Sequence, residues 1–279
     1  MTIRQAYLAA AAHLKVMGID SPEFDAAQLL EAATGVTRAT LPLEGNREMT
    51  QTEQDAFFPL VRRRGEKYPL QYLLGKWEFY GLPFVVGEGV LIPRADTETL
   101  VETGLELLKD ISHPVVYDLC SGSGCIAAAI ASQRPDAAIY AVELSEQALS
   151  YLRQNVRPFP GIRVIQGDVL ETATQLPPCH LLLSNPPYIS DEEMERLQTE
   201  VTYEPEMALR AGNQGLYFYQ KISEQYLGNL LPGGHMAFEV GHTQSTMVSK
   251  ILEKAGMHEI AVRKDLSGIE RVVAGRKPF

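Results

Sequence analysis

The sequence of 279 residues has few cysteines, no long apolar run and no excess of positive charge. Its three cysteines, Cys120, Cys125 and Cys179, are too few for a disulfide framework, and none forms a CxxC pair of the kind that binds zinc. We therefore expect buried free thiols and no metal site. No apolar run approaches the roughly 18 residues that cross a bilayer, and the apolar N-terminal stretch is broken by His13 and Lys15 without a cleavage pattern. We expect a cytoplasmic protein that binds no membrane.

The charge balance is acidic, with 25 Lys and Arg against 35 Asp and Glu and a net charge of −10. Proteins hold nucleic acids largely through cationic side chains that displace counterions. Stable nucleic-acid binding is therefore not expected without a local basic patch. The cluster Arg62-Arg63-Arg64-Gly65-Glu66-Lys67 is interpreted as a solvated helix end, with a binding patch as the alternative. Hydrophobic residues at 45% and charged residues at 22% are the proportions of an ordinary globular protein of one or two domains.

The hydrophobic periodicity changes near residue 70. Three segments before it have helical spacing, the third of them opening on a capping box at Thr50 and Glu53. In the second segment, Phe24 is predicted to face inward. These segments predict a small helical domain over residues 1–68. Residues 69–93 are rich in aromatic and β-branched side chains punctuated by glycines, which predicts a β-hairpin linker.

From residue 94 to residue 279, continuous apolar strands alternate with amphipathic helices. Strands of this kind are typical of a parallel sheet covered on both faces. The last two strands, on either side of Leu266-Ser267-Gly268, predict a hairpin at the sheet edge. We thus predict an α/β fold: a mostly parallel Rossmann-like sheet with an antiparallel C-terminal hairpin and a small N-terminal helical domain.

A glycine-rich loop follows the first of these strands and opens a helix. Glycines let a ligand approach the backbone, and the helix start offers free N–H groups. Glu143 ends the next strand, about 20 residues further on, where a ribose-binding acid belongs. A tight turn that binds no ligand is the alternative. With Glu143, the candidate ligands of a nucleoside cofactor are Asp118, Cys120, Ser121, Gly122, Ser123 and Gly124.

Asp168 and Val169 follow the third strand of this region. The Asp168 side chain is placed to accept from an adenine amino group while Val169 packs on the ring. An aspartate at a strand end is also a common turn former. The adenine contact and the ordinary turn are therefore equally supported by the sequence.

The fourth strand ends in Ser184-Asn185-Pro186-Pro187-Tyr188, the most specific pattern in the chain. Two successive prolines stiffen the segment and remove two backbone donors, which leaves acceptor oxygens free. The side-chain oxygen of Asn185 and the carbonyl of Pro186 are suited to accept both N–H groups of a planar amino nitrogen, with Tyr188 covering its flat face. We predict Asn185, Pro186 and Tyr188 as catalytic residues, these three with Pro187 as the substrate site, and Asn185 as a cofactor contact too. An ordinary strand-terminating turn is the alternative.

This NPPY motif resembles that of Rossmann-like methyltransferases that use S-adenosyl-L-methionine to methylate planar nitrogen. Over nearly the whole chain the sequence resembles the PrmC/HemK family of protein-(glutamine-N5) methyltransferases, which act on peptide chain release factors. The segments that carry this wider resemblance are residues 69–75, 78–81, 91–98, 204–205, 208–209, 212–219, 239–241 and 265–268, together with Arg271.

The resemblance implies that residues 94–279 form a class I methyltransferase domain that binds S-adenosyl-L-methionine and releases S-adenosyl-L-homocysteine. It implies methyl transfer to the N5 atom of the glutamine in the GGQ motif of class I peptide chain release factors, with residues 1–68 docking the substrate. The family usually has Gly at position 120 and Asp at position 143. Cys120 would be strained at a positive φ, whereas Glu143 can still accept from both ribose hydroxyls.

Two other functions compete with glutamine methylation. An NPPY motif serves any planar amino nitrogen, so methylation of adenine N6 in RNA or DNA is one alternative, and a non-catalytic nucleotide-binding module is the other. An adenine-directed enzyme needs a basic groove beside Asn185, but the segment 191–195 is acidic. No strong general base is evident near the motif, and we expect the proton to leave to solvent or to a carbonyl oxygen.

Overall fold

The computed structural model describes residues 1–279, which divide into two compact units. The first unit comprises residues Met1–Lys76 and Gln198–Tyr203, and the second comprises Trp77–Leu197 and Glu204–Phe279. None of the helices has the length and apolar character that spanning a bilayer requires.

The first unit is helical. Capping boxes begin its first and fourth helices. The side chains of Thr2 and Thr50 each accept from the backbone N–H three residues later, and the side chain of that later residue accepts from the backbone N–H of the threonine. The capping box expected at Thr50 is thus confirmed. The helices of this unit are α1 (Ile3–Val16), α2 (Pro22–Thr34), α3 (Leu41–Glu44), α4 (Gln51–Gly65) and α5 (Leu70–Leu74), with a 3₁₀ turn at Val201–Tyr203.

Two expectations for the first unit are wrong. Phe24 is 44% exposed, because α2 buries the face that carries Leu29 and Leu30. Arg64 does not belong to a solvated helix end: it is 5% exposed and donates to Asp25 at 2.6 Å and to Glu200 at 2.9 Å. Two carboxylates distant in sequence supply these partners, so no local pattern could indicate the burial of Arg64.

The hairpin predicted over residues 69–93 is shorter than expected. It consists of β1 (Lys76–Phe79) and β2 (Leu82–Val85), which pair as a two-stranded sheet. The residues just before it form α5 instead, which begins after Pro69 and ends at Gly75 in the left-handed conformation. The helical turn buries the side chains of Leu70 and Tyr72, which a strand of an exposed two-stranded hairpin would leave in solvent.

The second unit contains a seven-stranded sheet of order β5-β4-β3-β6-β7-β9-β8. Its strands are β3 (Val115–Leu119), β4 (Ala138–Glu143), β5 (Ile162–Gln166), β6 (Cys179–Ser184), β7 (Leu230–Glu239), β8 (His258–Lys264) and β9 (Glu270–Arg276). Its helices are α6 (Glu98–Leu107), α7 (Cys125–Gln133), α8 (Glu146–Asn155), α9 (Asp191–Met194), α10 (Glu206–Leu209), α11 (Tyr217–Tyr226) and α12 (Ser245–Lys254), with 3₁₀ turns at Ala95–Thr97, Ala173–Gln175 and Leu227–Asn229.

The predicted fold class is confirmed. Strands β3 to β7 pair in parallel, and β9 pairs antiparallel with both β7 and β8. An aliphatic core that includes Ile126 and Leu149 lies under α6, α7 and α8, and a second core that includes Tyr117, Tyr219 and Phe238 lies under α11 and α12. Burial on both faces is why the central strands are continuously apolar in sequence.

The strand order reverses between β3 and β6. The chain runs outward from β3 to β4 and β5, then returns to add β6 on the other side of β3. In open parallel sheets, ligands bind in the crevice at the carboxyl ends of strands at such a switch point. The glycine-rich loop after β3 and the NPPY motif after β6 both lie at this edge.

Candidate active site

A cavity opens at this edge of the sheet. It contains about 690 Å³ of empty space, open solvent at its mouth included. We call it the main cavity. Its lining residues are Gly89, Val90, Leu91, Cys120, Gly122, Glu143, Leu144, Ser145, Ala148, Asp168, Val169, Asn185, Pro187, Pro205, Met207, Ala208 and Phe218.

A smaller second recess adjoins the main cavity. The two share Leu91, Cys120, Gly122 and Asn185. The other residues of the second recess are Ile92, Pro93, Arg94, Thr97, Ser121, Ser123, Cys125 and Ile126. Of the predicted site residues, the structure thus brings Cys120, Ser121, Gly122, Ser123, Glu143, Asp168, Val169, Asn185 and Pro187 to these two recesses.

Asp118, Gly124, Pro186 and Tyr188 line neither recess. Asp118 is fully buried, and its Oδ2 accepts from the backbone N–H of Ala127 at 3.1 Å. Burial raises the pKa of Asp118 to about 7. This carboxyl therefore fixes the first turn of α7 rather than facing the cavity.

Gly124 is needed for packing at the end of the glycine-rich loop. It has φ 81°, and a Cβ built there would overlap the side chain of Leu152. A side chain at this position would therefore push the loop away from α8. Gly124 shapes the loop, and direct contact with a ligand stays a prediction.

Both carboxylate oxygens of Glu143 are held by the backbone. Oε2 accepts from the N–H of Gly122 and Oε1 from the N–H of Ser145, each at 2.8 Å. Each oxygen keeps a second lone pair for a ligand. A side chain fixed at both oxygens on the cavity wall is suited to receive two adjacent hydroxyl groups.

Cys120 adopts φ 60°, in the left-handed region. This conformation costs a residue with a Cβ on the order of 1 kcal/mol. The backbone strain expected for Cys120 at a positive φ is therefore present. Burial raises the pKa of the thiol above its usual range. Cys120 is therefore a neutral, apolar part of the wall.

The far side of the main cavity is suited to a flat ring. Asp168 Oδ1 accepts from the N–H of Leu170 at 2.8 Å, while its Oδ2 makes no hydrogen bond. Val169 is buried, and its carbonyl accepts from the hydroxyl of Tyr226 at 2.7 Å; Phe218 lines the same cavity. With Glu143, this set of acceptors and apolar surfaces fits the S-adenosyl-L-methionine expected from the sequence.

The NPPY loop is anchored at both ends. At its start, Ser184 Oγ donates to the carbonyl of Leu119 at 2.6 Å. At its end, Gln244 Nε2 donates to the carbonyl of Tyr188 at 2.9 Å, and Gln244 Oε1 accepts from the N–H of Gly241 at 3.0 Å. Between the anchors, Asn185 Nδ2 donates to Thr97 Oγ1 at 3.4 Å, and Asn185 Oδ1 makes no hydrogen bond. The loop presents a free acceptor at the junction of the two recesses.

A tight turn packs against the second anchor. Asn213, Gln214 and Gly215 have φ 55°, 56° and 81°, three left-handed residues in succession. A Cβ at Gly215 would overlap the carbonyl oxygen of Tyr188. Only glycine permits this close approach, so the turn helps to set the position of Tyr188.

A buried carboxyl that no sequence pattern assigns to the site lies beside the NPPY loop. Glu239 ends β7, the strand next to β6, and is 2% exposed. Burial raises its pKa to about 7, and its Oε2 makes no hydrogen bond. The available signal was an acid at the carboxyl end of the strand that adjoins the NPPY strand. Thr97, Gln244 and Phe218 carry no comparable signal.

Two family models match the chain. The model described as "PrmC N-terminal domain" matches residues 5–75, and the model described as "Methyltransferase small domain" matches residues 96–215. A relative from Geobacter sulfurreducens, named release factor glutamine methyltransferase, is 38% identical over 278 residues, covering 99% of this chain and 96% of the relative. A relative of the same name from Fusobacterium nucleatum subsp. nucleatum is 36% identical, covering 95% of this chain and 76% of the relative.

Among solved structures, the hMettl16 catalytic domain in complex with MAT2A 3'UTR hairpin 6 is similar in fold. Its TM-score is 0.58 at 15% sequence identity, covering 79% of this chain and 82% of that chain. At this identity the likeness concerns the fold alone.

Proposed function

The chain belongs to the release factor glutamine methyltransferase family, and on that premise we propose that it methylates the side-chain nitrogen (N5) of the glutamine in the GGQ motif of class I peptide chain release factors. The observation that carries the proposal is the position of Asn185. This residue lines both the main cavity and the second recess, and its Oδ1 is free to accept. An acceptor oxygen at this junction is suited to hold an amide beside a bound cofactor.

The main cavity is proposed to hold S-adenosyl-L-methionine. Glu143 would accept from the ribose hydroxyls, Asp168 from the adenine amino group, and Val169 and Phe218 would pack on the ring. When bound, the cofactor supplies a methyl group already activated for transfer. The task left to the protein is to orient the acceptor nitrogen and exclude water.

The NPPY loop is proposed to orient that nitrogen. An amide nitrogen is a weak nucleophile because its lone pair is delocalised into the carbonyl. If Asn185 Oδ1 and the carbonyl of Pro186 accept its two N–H groups, the lone pair is turned toward the methyl group and held in line. The anchors at Ser184 and Tyr188 keep these acceptors in place before substrate binds. We propose that the proton leaves late, to solvent or to a carbonyl oxygen.

We also propose that the N-terminal domain, residues 1–68, docks the release factor, that residues 69–93 link the domains, and that residues 94–279 carry the reaction. The match of residues 5–75 to the "PrmC N-terminal domain" model supports a role specific to this family. Translation termination, the process in which release factors act, would place the reaction in the cytoplasm.

Acidic residues beside the NPPY loop oppose a nucleic-acid substrate. Asp191, Glu192 and Glu193 line an open groove at the end of the motif. Phosphate backbones require cationic surfaces there. This charge favours the protein substrate over the adenine alternative.

The test is one reaction that contains a purified release factor, an adenine-containing oligonucleotide and S-adenosyl-L-methionine. We expect peptide mass mapping to find one methyl group on the GGQ glutamine and nucleoside analysis to find unmodified adenine. Methylated adenine with unmodified glutamine would overturn the proposal.

A further inference from the structure

A single cationic side chain, that of Arg94, lines the two recesses. It belongs to the second recess, and no other residue of either recess is a lysine, an arginine or a histidine. The main cavity carries two acidic side chains instead, Glu143 and Asp168. A negatively charged group of a ligand is therefore repelled from the main cavity and attracted toward the second recess.

A buried carboxyl fixes the position of Arg94. Glu204 is 6% exposed, and its Oε1 accepts from Arg94 Nη2 while its Oε2 accepts from the backbone N–H of Ile92 at 2.9 Å. One side chain thus holds both ends of the segment 92–94, which lines the second recess. The guanidinium is placed before any ligand binds, which lowers the entropic cost of a contact with it.

Neutralising Glu204 does not use all of the guanidinium. The side chain of Arg94 is 39% exposed, whereas that of Glu204 is only 2% exposed. Nη2 is the one nitrogen of the guanidinium that donates to the protein, so Nε and Nη1 make no hydrogen bond. All three nitrogens of a guanidinium carry donors. Arg94 therefore keeps strong donors for an anionic group in the recess.

The cofactor proposed for the main cavity contains one such group. S-adenosyl-L-methionine consists of an adenosine half and an amino-acid half, joined at the sulfonium, and only the amino-acid half carries a carboxylate. If Asp168 takes the adenine and Glu143 the ribose, the sulfonium lies toward Asn185, which lines both recesses. The amino-acid half then continues into the second recess, where Arg94 is the cation.

We propose that Arg94 binds the carboxylate of the amino-acid half of the cofactor in the second recess, and that Glu204 is the positioning residue that holds Arg94 there. This inference deepens the proposed function and rests on its cofactor site. It extends that site from the carboxyl ends of the strands to the segment that precedes α6.

The first test compares two ligands on the full chain by titration calorimetry. S-adenosyl-L-homocysteine contains the amino-acid half, and 5′-methylthioadenosine lacks it. Arg94→Met removes the cation and keeps an extended side chain, so the Kd of S-adenosyl-L-homocysteine should rise at least about 10-fold while that of 5′-methylthioadenosine stays within about 2-fold of wild type. The matched control is Arg263→Met, because Arg263 is also a half-exposed arginine paired with a glutamate, Glu106, but lines neither recess. Both Kd values should be unchanged in it.

The second test concerns Glu204. Glu204→Gln still accepts from the N–H of Ile92 but holds Arg94 less firmly, since the charge is gone. The Kd of S-adenosyl-L-homocysteine should rise at least about 3-fold, and that of 5′-methylthioadenosine should not change. A glutamate that only stabilises the fold would instead lower the Tm and leave the ratio of the two Kd values as in wild type.

The inference is overturned if Arg94→Met weakens both ligands equally or weakens neither. An Arg94→Met enzyme with unchanged Kd values but a raised KM for release factor would assign the second recess to the substrate peptide instead. If Glu204→Gln does not fold, the Arg94 variant decides.

The same measurements separate this inference from the proposed function. A wild-type protein that binds neither ligand contradicts the proposed cofactor site and the inference with it. A wild type whose two ligands respond to Arg94→Met as expected, but which leaves release factor unmethylated, contradicts the proposed substrate and supports the inference.

Discussion

Asn185 has a free oxygen on one side of its carboxamide and a bond to Thr97 on the other. If that oxygen accepts from the substrate amide, Asn185→Ala should lower kcat by roughly 10²-fold, as loss of a preorganised polar contact does. Binding of S-adenosyl-L-homocysteine should change little, because the rest of the main cavity is intact. Single-turnover methylation of release factor measures the effect, and turnover within a few-fold of wild type would refute the assigned role.

Glu143 holds Gly122 and Ser145 while facing the main cavity. Its loss should weaken cofactor binding by about 1–3 kcal/mol, the range for one or two charge-assisted hydrogen bonds. Titration calorimetry with S-adenosyl-L-homocysteine checks Glu143→Ala. The matched control is Glu146→Ala, an exposed acid in the first turn of α8, which should leave the Kd unchanged. Equal affinity of wild type and Glu143→Ala would place the ribose elsewhere.

Glu239 makes stability depend on pH. Its pKa is raised from the ordinary value of 4.5 to about 7 by burial, so the folded protein holds this proton more tightly than the unfolded chain does. The stability that the neutral carboxyl contributes is present below pH 4.5 and is lost as the pH rises through about 7. The charged or titratable groups that interact electrostatically with the Glu239 carboxyl are Arg94, Asp96, Cys125, Tyr188, Tyr219 and Arg271.

Glu239→Gln cannot titrate. Its Tm should therefore exceed that of wild type by a few degrees near pH 8, and the excess should shrink toward about pH 5. Asp118, whose pKa is also raised, is present in both proteins and cancels in the difference. Thermal unfolding followed by circular dichroism measures the two Tm values, and a difference independent of pH would contradict the raised pKa.

At the scale of elements, the turn that ends at Gly215 supports the NPPY loop. Alanine at Gly215 would be strained at φ 81° and would overlap the Tyr188 carbonyl and the Gln244 amide. A displacement of about 1 Å at the reacting groups is enough to cost about 10²-fold in rate, so Gly215→Ala should lower both kcat and Tm. Gly212→Ala is the control, because no atom lies within 4 Å of its Cβ position. Similar kcat for the two variants would show that the turn does not position the loop.

Much of the second unit could be predicted because its strands are buried on both faces and its ligand loops lie at strand ends. Glu143, Asp168 and Asn185 follow from that rule, and all three line the main cavity. The segment 189–215 could not be predicted, since it has no periodicity and folds back on itself through contacts such as the N–H of Ile189 with the carbonyl of Leu209 at 2.9 Å.

The buried contact of Thr97 with the NPPY loop could not be predicted from the sequence either. Thr97 and Asn185 are 88 residues apart, and nothing near Thr97 in sequence indicates that its hydroxyl meets the NPPY loop. Cys120 departs from the family pattern in sequence, but only its φ of 60° shows that the backbone there is strained. Such features depend on tertiary contacts that local patterns do not encode.

For the whole molecule, the division into two units predicts that cofactor binding can be separated from methylation of intact release factor. All residues that line the main cavity belong to the second unit. A chain that begins at Trp77, with residues 198–203 replaced by a Gly/Ser linker, should bind S-adenosyl-L-homocysteine within a few-fold of the full chain. It should fail to methylate intact release factor, because binding energy from remote surfaces is needed to hold the glutamine in line.

A full-length chain that carries only the linker replacement is the control for this truncation. Radiolabelled methyl transfer and calorimetry measure the two functions. If the truncated chain methylates release factor at the wild-type rate, the N-terminal unit is not the docking domain.

The ion pair of Arg64 with Glu200 has a consequence for how the protein is made. The two residues are 136 positions apart, and residues 198–203 belong to the first unit. Synthesis at roughly 5–20 residues per second delivers this segment several seconds or more after residue 76 has been added. During that interval the nascent N-terminal helices lack one of the two carboxylates that pair with the Arg64 guanidinium. The part of the protein synthesised first therefore completes its structure only after most of the second unit has been translated.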